Sequence, residues 1–83
     1  MKILYFAWLR ERIGTGEEDV VLPDNVANVS GLIAWLTARS PGHAAAFAHG
    51  KLVRCAVNQN FATPEAAVGP NDEVAFFPPV TGG

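Results

Sequence analysis

The 83-residue sequence holds one cysteine, Cys55, so no disulfide forms within the chain and the usual staple of small secreted domains is missing. Clustered positive charge is missing too. Six basic residues face eight acidic ones, for a net charge of -2. Arg10, Arg12, Arg39, Lys51 and Arg54 form no stripe, which argues against an electrostatic grip on nucleic acid. No apolar run approaches the ~20 residues of a membrane span. Lys2 followed by the apolar stretch to Leu9 has the outline of a signal peptide. It lacks a small-residue cleavage site, and Arg10-Glu11-Arg12 follows at once, so it reads as a first strand in a cytoplasmic protein. His43 and His49 have no cysteine or carboxylate at ligand spacing, so no metal site is expected.

What is present is ordinary for a folded domain: 49% apolar residues and 17% charged. The length allows one domain. Domains near this size bury only about 60% of their unfolded surface, so packing or a partner must supply the stability.

Lys2 to Ala7 is apolar at nearly every position, as in a strand covered on both faces. Trp8 to Ile13 reads as a helical turn closed by Gly14 and Gly16, and Glu18 to Leu22 as a second strand completing a hairpin. Glu17-Glu18-Asp19 is its solvated, acidic part. Asn28 is placed to cap a helix whose Val29, Leu32, Ile33 and Leu36 share one face. Ser40-Pro41-Gly42 ends it, and a short helix is expected between Gly42 and Gly50. In Leu52 to Val57, Val53, Cys55 and Val57 alternate with Arg54 and Ala56, a half-buried strand with Cys55 facing inward. Asn58-Gln59-Asn60 turns the chain, and after a turn-rich stretch Glu73 to Phe77 forms the last strand. A mixed sheet gripping one main helix, an α+β fold, satisfies this order.

The composition breaks after Phe77. Residues 1–77 are read as the domain and 78–83 as a flexible tail, Pro78, Pro79, Val80, Thr81, Gly82 and Gly83. Prolines bias a chain toward an extended path of about 3.1 Å per residue, and six residues on it reach on the order of 19 Å. Gly82 and Gly83 carry no side chains, so this backbone fits a channel too narrow for other residues. The terminal carboxylate, with a pKa of roughly 3.3–3.7, is an anion and a poor electrophile until it is activated as a mixed anhydride. Taken alone, a Gly-Gly end is equally the description of a frayed terminus.

The context narrows the choice. Gly69 to Gly83, ending Asp72-Glu73-Val74-Ala75-Phe76-Phe77-Pro78-Pro79-Val80-Thr81-Gly82-Gly83, resembles the C-terminus of the molybdopterin synthase small-subunit family. Phe6-Ala7-x-x-Arg10-Glu11-x-x-Gly14 and Ala56-Val57-Asn58-Gln59 agree with that family as well, so the resemblance runs along the whole chain. Pro70-Asn71 departs from it where a glycine is usual, and Asn28 stands where Thr or Ser is commoner.

The resemblance implies a ubiquitin-like β-grasp fold and a sulfur carrier with no catalytic residue and no bound cofactor of its own. An activating enzyme would use ATP to adenylate Gly83, and a sulfur donor protein would help convert it to a thiocarboxylate. The tail would then enter the large synthase subunit, in a heterotetramer, and give its sulfur to cyclic pyranopterin monophosphate. Phe6, Arg10, Phe61 and Phe77 match positions that face the large subunit. Two other functions share the activation chemistry: a sulfur carrier for thiamine synthesis, and a ubiquitin-like modifier joined to lysines through Gly83.

Overall fold

In the computed structural model, which describes residues 1–79, the apolar start of the chain becomes strand β1, Lys2–Tyr5. Helix α1, Trp8–Ile13, follows and stops at Gly14, whose φ of 98° is a left-handed value that glycine adopts without strain. Strand β2 is Glu17–Asp19. Helix α2, Val29–Thr37, begins at Asn28, whose Oδ1 accepts the Gly31 N–H at 2.8 Å. Helix α3, Pro41–Phe47, is followed by a 3-10 turn at Gly50–Leu52. The remaining strands are β3, Arg54–Val57; β4, Asn60–Ala62; and β5, Glu73–Phe77.

The five strands form one mixed sheet in the order β2-β1-β5-β3-β4. β1 and β5, from opposite ends of the chain, pair in parallel at the centre, while the other three pairings are antiparallel. Alternation along each strand gives the sheet two faces. The inner face carries Ile3 and Tyr5, Val74 and Phe76, and Cys55, all buried. α2 covers it with Val29, Leu32 and Leu36, and α3 with Ala46 and Phe47. Phe76 sits at the middle, stacked on Tyr5 with ring centroids 6.2 Å apart and edge-on to Phe47 at 5.1 Å. A nine-residue helix is marginal alone in water, so α2 owes its stability to this buried face.

Several elements depart from the sequence expectation. β1 ends at Tyr5, and β2 takes up the acidic residues rather than Val20 and Leu22. Val20 is buried beyond the end of its ladder. Between β1 and β2, by contrast, α1 occupies Trp8–Ile13 and stops at Gly14, as the sequence led one to expect. Ser40-Pro41 both ends α2 and starts α3: Ser40 accepts the His43 N–H, and Pro41 sits where a helix needs no donor. The 3-10 turn takes Leu52, so β3 begins at Arg54 rather than at Leu52. β4 is an additional strand within the turn-rich stretch, joined to β3 by the two residues Asn58 and Gln59, both with positive φ. Among the described residues no helix is long and apolar enough to cross a membrane.

Candidate functional site

The root of the C-terminal tail is held at the centre of the sheet. β5 is bonded on one side to β1 and on the other to β3, and the ladder continues to the Arg54–Phe77 pair. The Phe6 N–H donates to the Phe76 carbonyl at 3.1 Å, beyond the last residue of β1. Pro78 and Pro79 follow, half-buried and without N–H groups, so the ladder cannot extend through them. Val80, Thr81, Gly82 and Gly83 lie outside the described residues.

At the other end of β5, Asn58 fixes the register. Its N–H donates to the Glu73 carbonyl at 2.8 Å, and its Oδ1 accepts the Glu73 N–H at 3.0 Å. Its Nδ2 donates to Asp72 Oδ1 at 2.9 Å, while Asp72 Oδ2 accepts the Gly69 N–H at 2.7 Å. The bond from Asn58, then that from Gly69, holds the Asp72 carboxyl below the usual range. Asn58 does this at φ 50°, a conformation that asparagine tolerates better than most residues. The Ala56-Val57-Asn58-Gln59 motif therefore clamps the strand that carries the tail.

Among the described residues no helix buries the outer face of the sheet: Leu4, Ala56, Ala75 and Phe77 are half-buried and Phe61 is exposed. Leu4, Ala75, Ala56 and Phe61 form one cross-strand row. Phe77 lies one step further along β5, next to Arg54. Ala56 and Ala75 are small, so the Phe61 ring reaches across β3 to Phe77, with centroids 5.9 Å apart. Phe61 is nonetheless 86% exposed and Phe6, past the end of β1, 48%. Charge borders this apolar floor at the β2 edge, where Lys2 Nζ lies 3.4 Å from Glu17. Phe6, Phe61 and Phe77 are thus all turned away from the core. Arg10 sits apart from that floor, exposed on α1, with its aliphatic stem so close to Gly16 that a Cβ there would lie 2.8 Å from Arg10 Cδ.

One polar cluster was not foreseen from the sequence. Glu18, expected in a solvated acidic hairpin, is turned under the sheet. Its Oε2 accepts the Tyr5 hydroxyl at 2.7 Å and lies 2.7 Å from His43 Nε2, and its Oε1 accepts from Arg39 Nη2 at 3.2 Å. His43 Nδ1 is 2.7 Å from Ser40 Oγ, so the chain of bonds runs from β1 to α3. Burial pushes the Glu18 carboxyl up, but the bonds from His43 and Tyr5 and the charges of His43 and Arg39 outweigh it and hold the group below its usual range. Burial first, and then Glu18, raises the Tyr5 phenol far above its ordinary value. Cys55 is buried on the inner face, where burial pushes its thiol up to about 11. Its thiolate is therefore scarce near neutrality, which leaves it a small hydrophobe rather than a sulfur relay. No group of metal-ligating side chains occurs among the described residues.

The arrangement is a rooted tail beside an apolar face. The model of the ThiS family matches residues 3–83. Over its full length the chain is 41% identical to the molybdopterin synthase sulfur carrier subunit of Escherichia coli and 40% identical to that of Haemophilus influenzae, covering 99% of each. Among solved structures, a Pyrococcus furiosus protein described as molybdopterin converting factor subunit 1 superposes with a TM-score of 0.79 at 31% identity, over 95% of both chains. The small archaeal modifier protein 1 of Haloferax volcanii superposes with a TM-score of 0.74 at 27% identity, over 100% of this chain and 98% of its own.

Proposed function

The chain belongs to the ThiS family, and on that footing we propose that it is the sulfur carrier subunit of a molybdopterin synthase, with Gly83 as the atom-carrying residue. The observation that supports this most is the full-length match to two sulfur carrier subunits at 40% identity or better. The fold agrees with the role: it is a β-grasp whose central strand, β5, leads directly into the tail.

The chemistry follows from the terminal carboxylate. In the cytoplasm, an activating enzyme binds ATP, and a Gly83 carboxylate oxygen attacks the α-phosphorus as pyrophosphate leaves. Sulfur at the oxidation level of sulfide, supplied through a donor protein, then attacks the acyl carbon and displaces AMP. The product is a thiocarboxylate, whose sulfur is nucleophilic. Pro78, Pro79, Val80, Thr81 and Gly82 are the spacer that carries it into the large synthase subunit, where cyclic pyranopterin monophosphate receives the sulfur. The carrier supplies no catalytic residue and binds no cofactor itself. Phe6, Phe61 and Phe77 meet the large subunit through the uncovered face of the sheet, with Arg10 at the margin. Such a face suits a partner because three exposed or half-exposed aromatics over an alanine floor offer a concentrated apolar contact.

Intact mass of the chain isolated from cells tests this reading. The expected product has one oxygen replaced by sulfur at the terminus. Deleting Gly83, or adding one residue after it, is expected to abolish synthase activity in a reconstituted assay while the fold survives. Normal activity from either variant would sink the proposal. The likeness to a small archaeal modifier protein supports a second reading, a tag joined through Gly83. Peptides from other proteins carrying an isopeptide-linked Gly-Gly remnant would favour it.

A further inference from the structure

Beside the aromatic face, the sheet ends at β4, whose outer edge no other strand pairs among the described residues, and an open apolar pocket lies next to it. The register shows which way each backbone group points. Asn58 exchanges bonds with Glu73, so Ala56 and Arg54, two and four residues back along β3, also point toward β5. Cys55 and Val57 therefore point toward β4 and take up Ala62 and Asn60. The N–H and C=O of Phe61 are left pointing outward from the sheet edge. Directly under that edge a pocket of about 270 Å³ opens between the sheet and α2, lined by Val29, Ile33, Cys55 and Ala62 among others. A dry cavity of roughly 150 Å³ is enough to take up benzene, so this one has room for a large apolar side chain. Arg54 stands at its rim with Nη1 held by the Lys51 carbonyl at 3.1 Å, and no acidic residue lines it.

We propose that this edge receives an extended segment of the large synthase subunit. The segment forms a two-bond backbone pairing with Phe61, drops an aliphatic or aromatic side chain into the pocket, and places a carboxylate near Arg54. The inference rests on the carrier reading above, and continuity favours that occupant: the Phe61 side chain belongs to the aromatic face and its backbone to the edge. A residue paired opposite Phe61 projects onto the aromatic face, and its neighbours, on the other side of the strand, project into the pocket. The short strand and Pro64 limit the pairing to this one position, which keeps the edge from recruiting further copies of the chain.

The test uses the full chain and the purified large subunit from the same organism. Residue-resolved amide exchange of the carrier is measured free and in the complex, together with the affinities of Ile33→Trp, which fills the pocket from the helix side, and Arg54→Glu. The Phe61 amide is expected to exchange at least tenfold more slowly in the complex, and both variants to bind at least tenfold more weakly. Ile33 lines the pocket, whereas Phe6 and Phe77 do not, so its effect separates the pocket from those two aromatics. Should Ile33→Trp fail to fold, Ala62→Trp, which fills the pocket from the sheet side, decides together with the exchange data. If the complex forms but the Phe61 amide exchanges as in the free chain, the edge pairing is wrong. If the amide slows but both variants bind like the native chain, the pocket is not occupied and the inference fails while the carrier reading stands. If the native chain does not bind the large subunit at all, the partner assignment itself fails and this inference with it.

Discussion

Phe76 and Phe77 are the same residue at adjacent positions on one strand, yet they serve different ends. Phe76 is fully buried between Tyr5 and Phe47, whereas Phe77 lies half-buried on the outer face beside the Phe61 ring. The pleat alone separates them, because successive side chains on a strand point to opposite faces. The lesson is that apolar character in a small domain has two uses. One phenylalanine lowers the energy of the folded chain, and the next, under the carrier reading proposed above, is surface for a second molecule. Hydrophobicity does not say which is which; the presence or absence of a covering helix does.

The contrast breaks most sharply at Phe76. Phe76→Ala is expected to cost about 3–5 kcal/mol of stability, by lost burial and the cavity left behind. For a domain this small each kcal/mol lowers the melting temperature by roughly 4–8 °C. Thermal denaturation that shows Phe76→Ala as stable as Phe77→Ala would end the distinction. Phe77→Ala is expected to leave the melting curve nearly unchanged and to weaken binding to the large subunit by about 2–4 kcal/mol. Calorimetric titration measures this directly. A variant that unfolds yet binds normally per folded molecule would return Phe77 to the core.

The smallest effect sharpens the inner side of the comparison. Glu18→Gln is expected to cost roughly 1–3 kcal/mol at neutral pH, since the bonds to a charged carboxylate are weakened. Because the folded chain holds the Glu18 carboxyl below its unfolded value of 4.5, the unfolded chain binds more protons on acidification. This part of the stability is present above pH 4.5 and is lost as the pH falls through the lower, folded value. Denaturation midpoints against pH should therefore fall less steeply below pH 4.5 for the Gln variant than for the native chain. Parallel curves would mean that the network does not carry the acid dependence.

The sequence made some of this legible and hid the rest for physical reasons. β5 was readable to the residue, because five residues of strand character sit between a turn cluster and two prolines. The main helix was readable from its cap and its face, although Ile33 lies half-buried at the pocket rather than within the core. β4 escaped notice because Asn60, Phe61 and Ala62 are too few and too mixed for an alternation to show. The acidic run at residues 17–19 reads as solvent-facing, since charge usually is. Only the folded chain brings Tyr5 and His43 to Glu18, from 13 and 25 positions away. For the candidate site, Phe6, Phe61 and Phe77 were expected at a partner surface, and the structure turns all three away from the core. That Phe61 also marks an open edge follows only from the register, which no local pattern encodes.

The parallel pairing of β1 with β5 bears on when the strand that leads into the C-terminus is fixed. Lys2 lies opposite Glu73, so the loop that must close before this ladder forms takes in nearly the whole domain. Pairings so distant in sequence are slow to form, because loop closure precedes any reward. β5 then has a neighbour on each side, and it cannot peel away without opening the middle of the sheet. Fraying at an edge leaves such a strand in place, and freeing it takes the disruption of the whole structure. A chain that is truncated or wrongly folded lacks the two neighbours that grip β5, so it offers its terminus on a loose leash. Completion of the fold is therefore the condition on which a firmly held β5 depends, and under the carrier reading proposed above it would act as a form of proofreading.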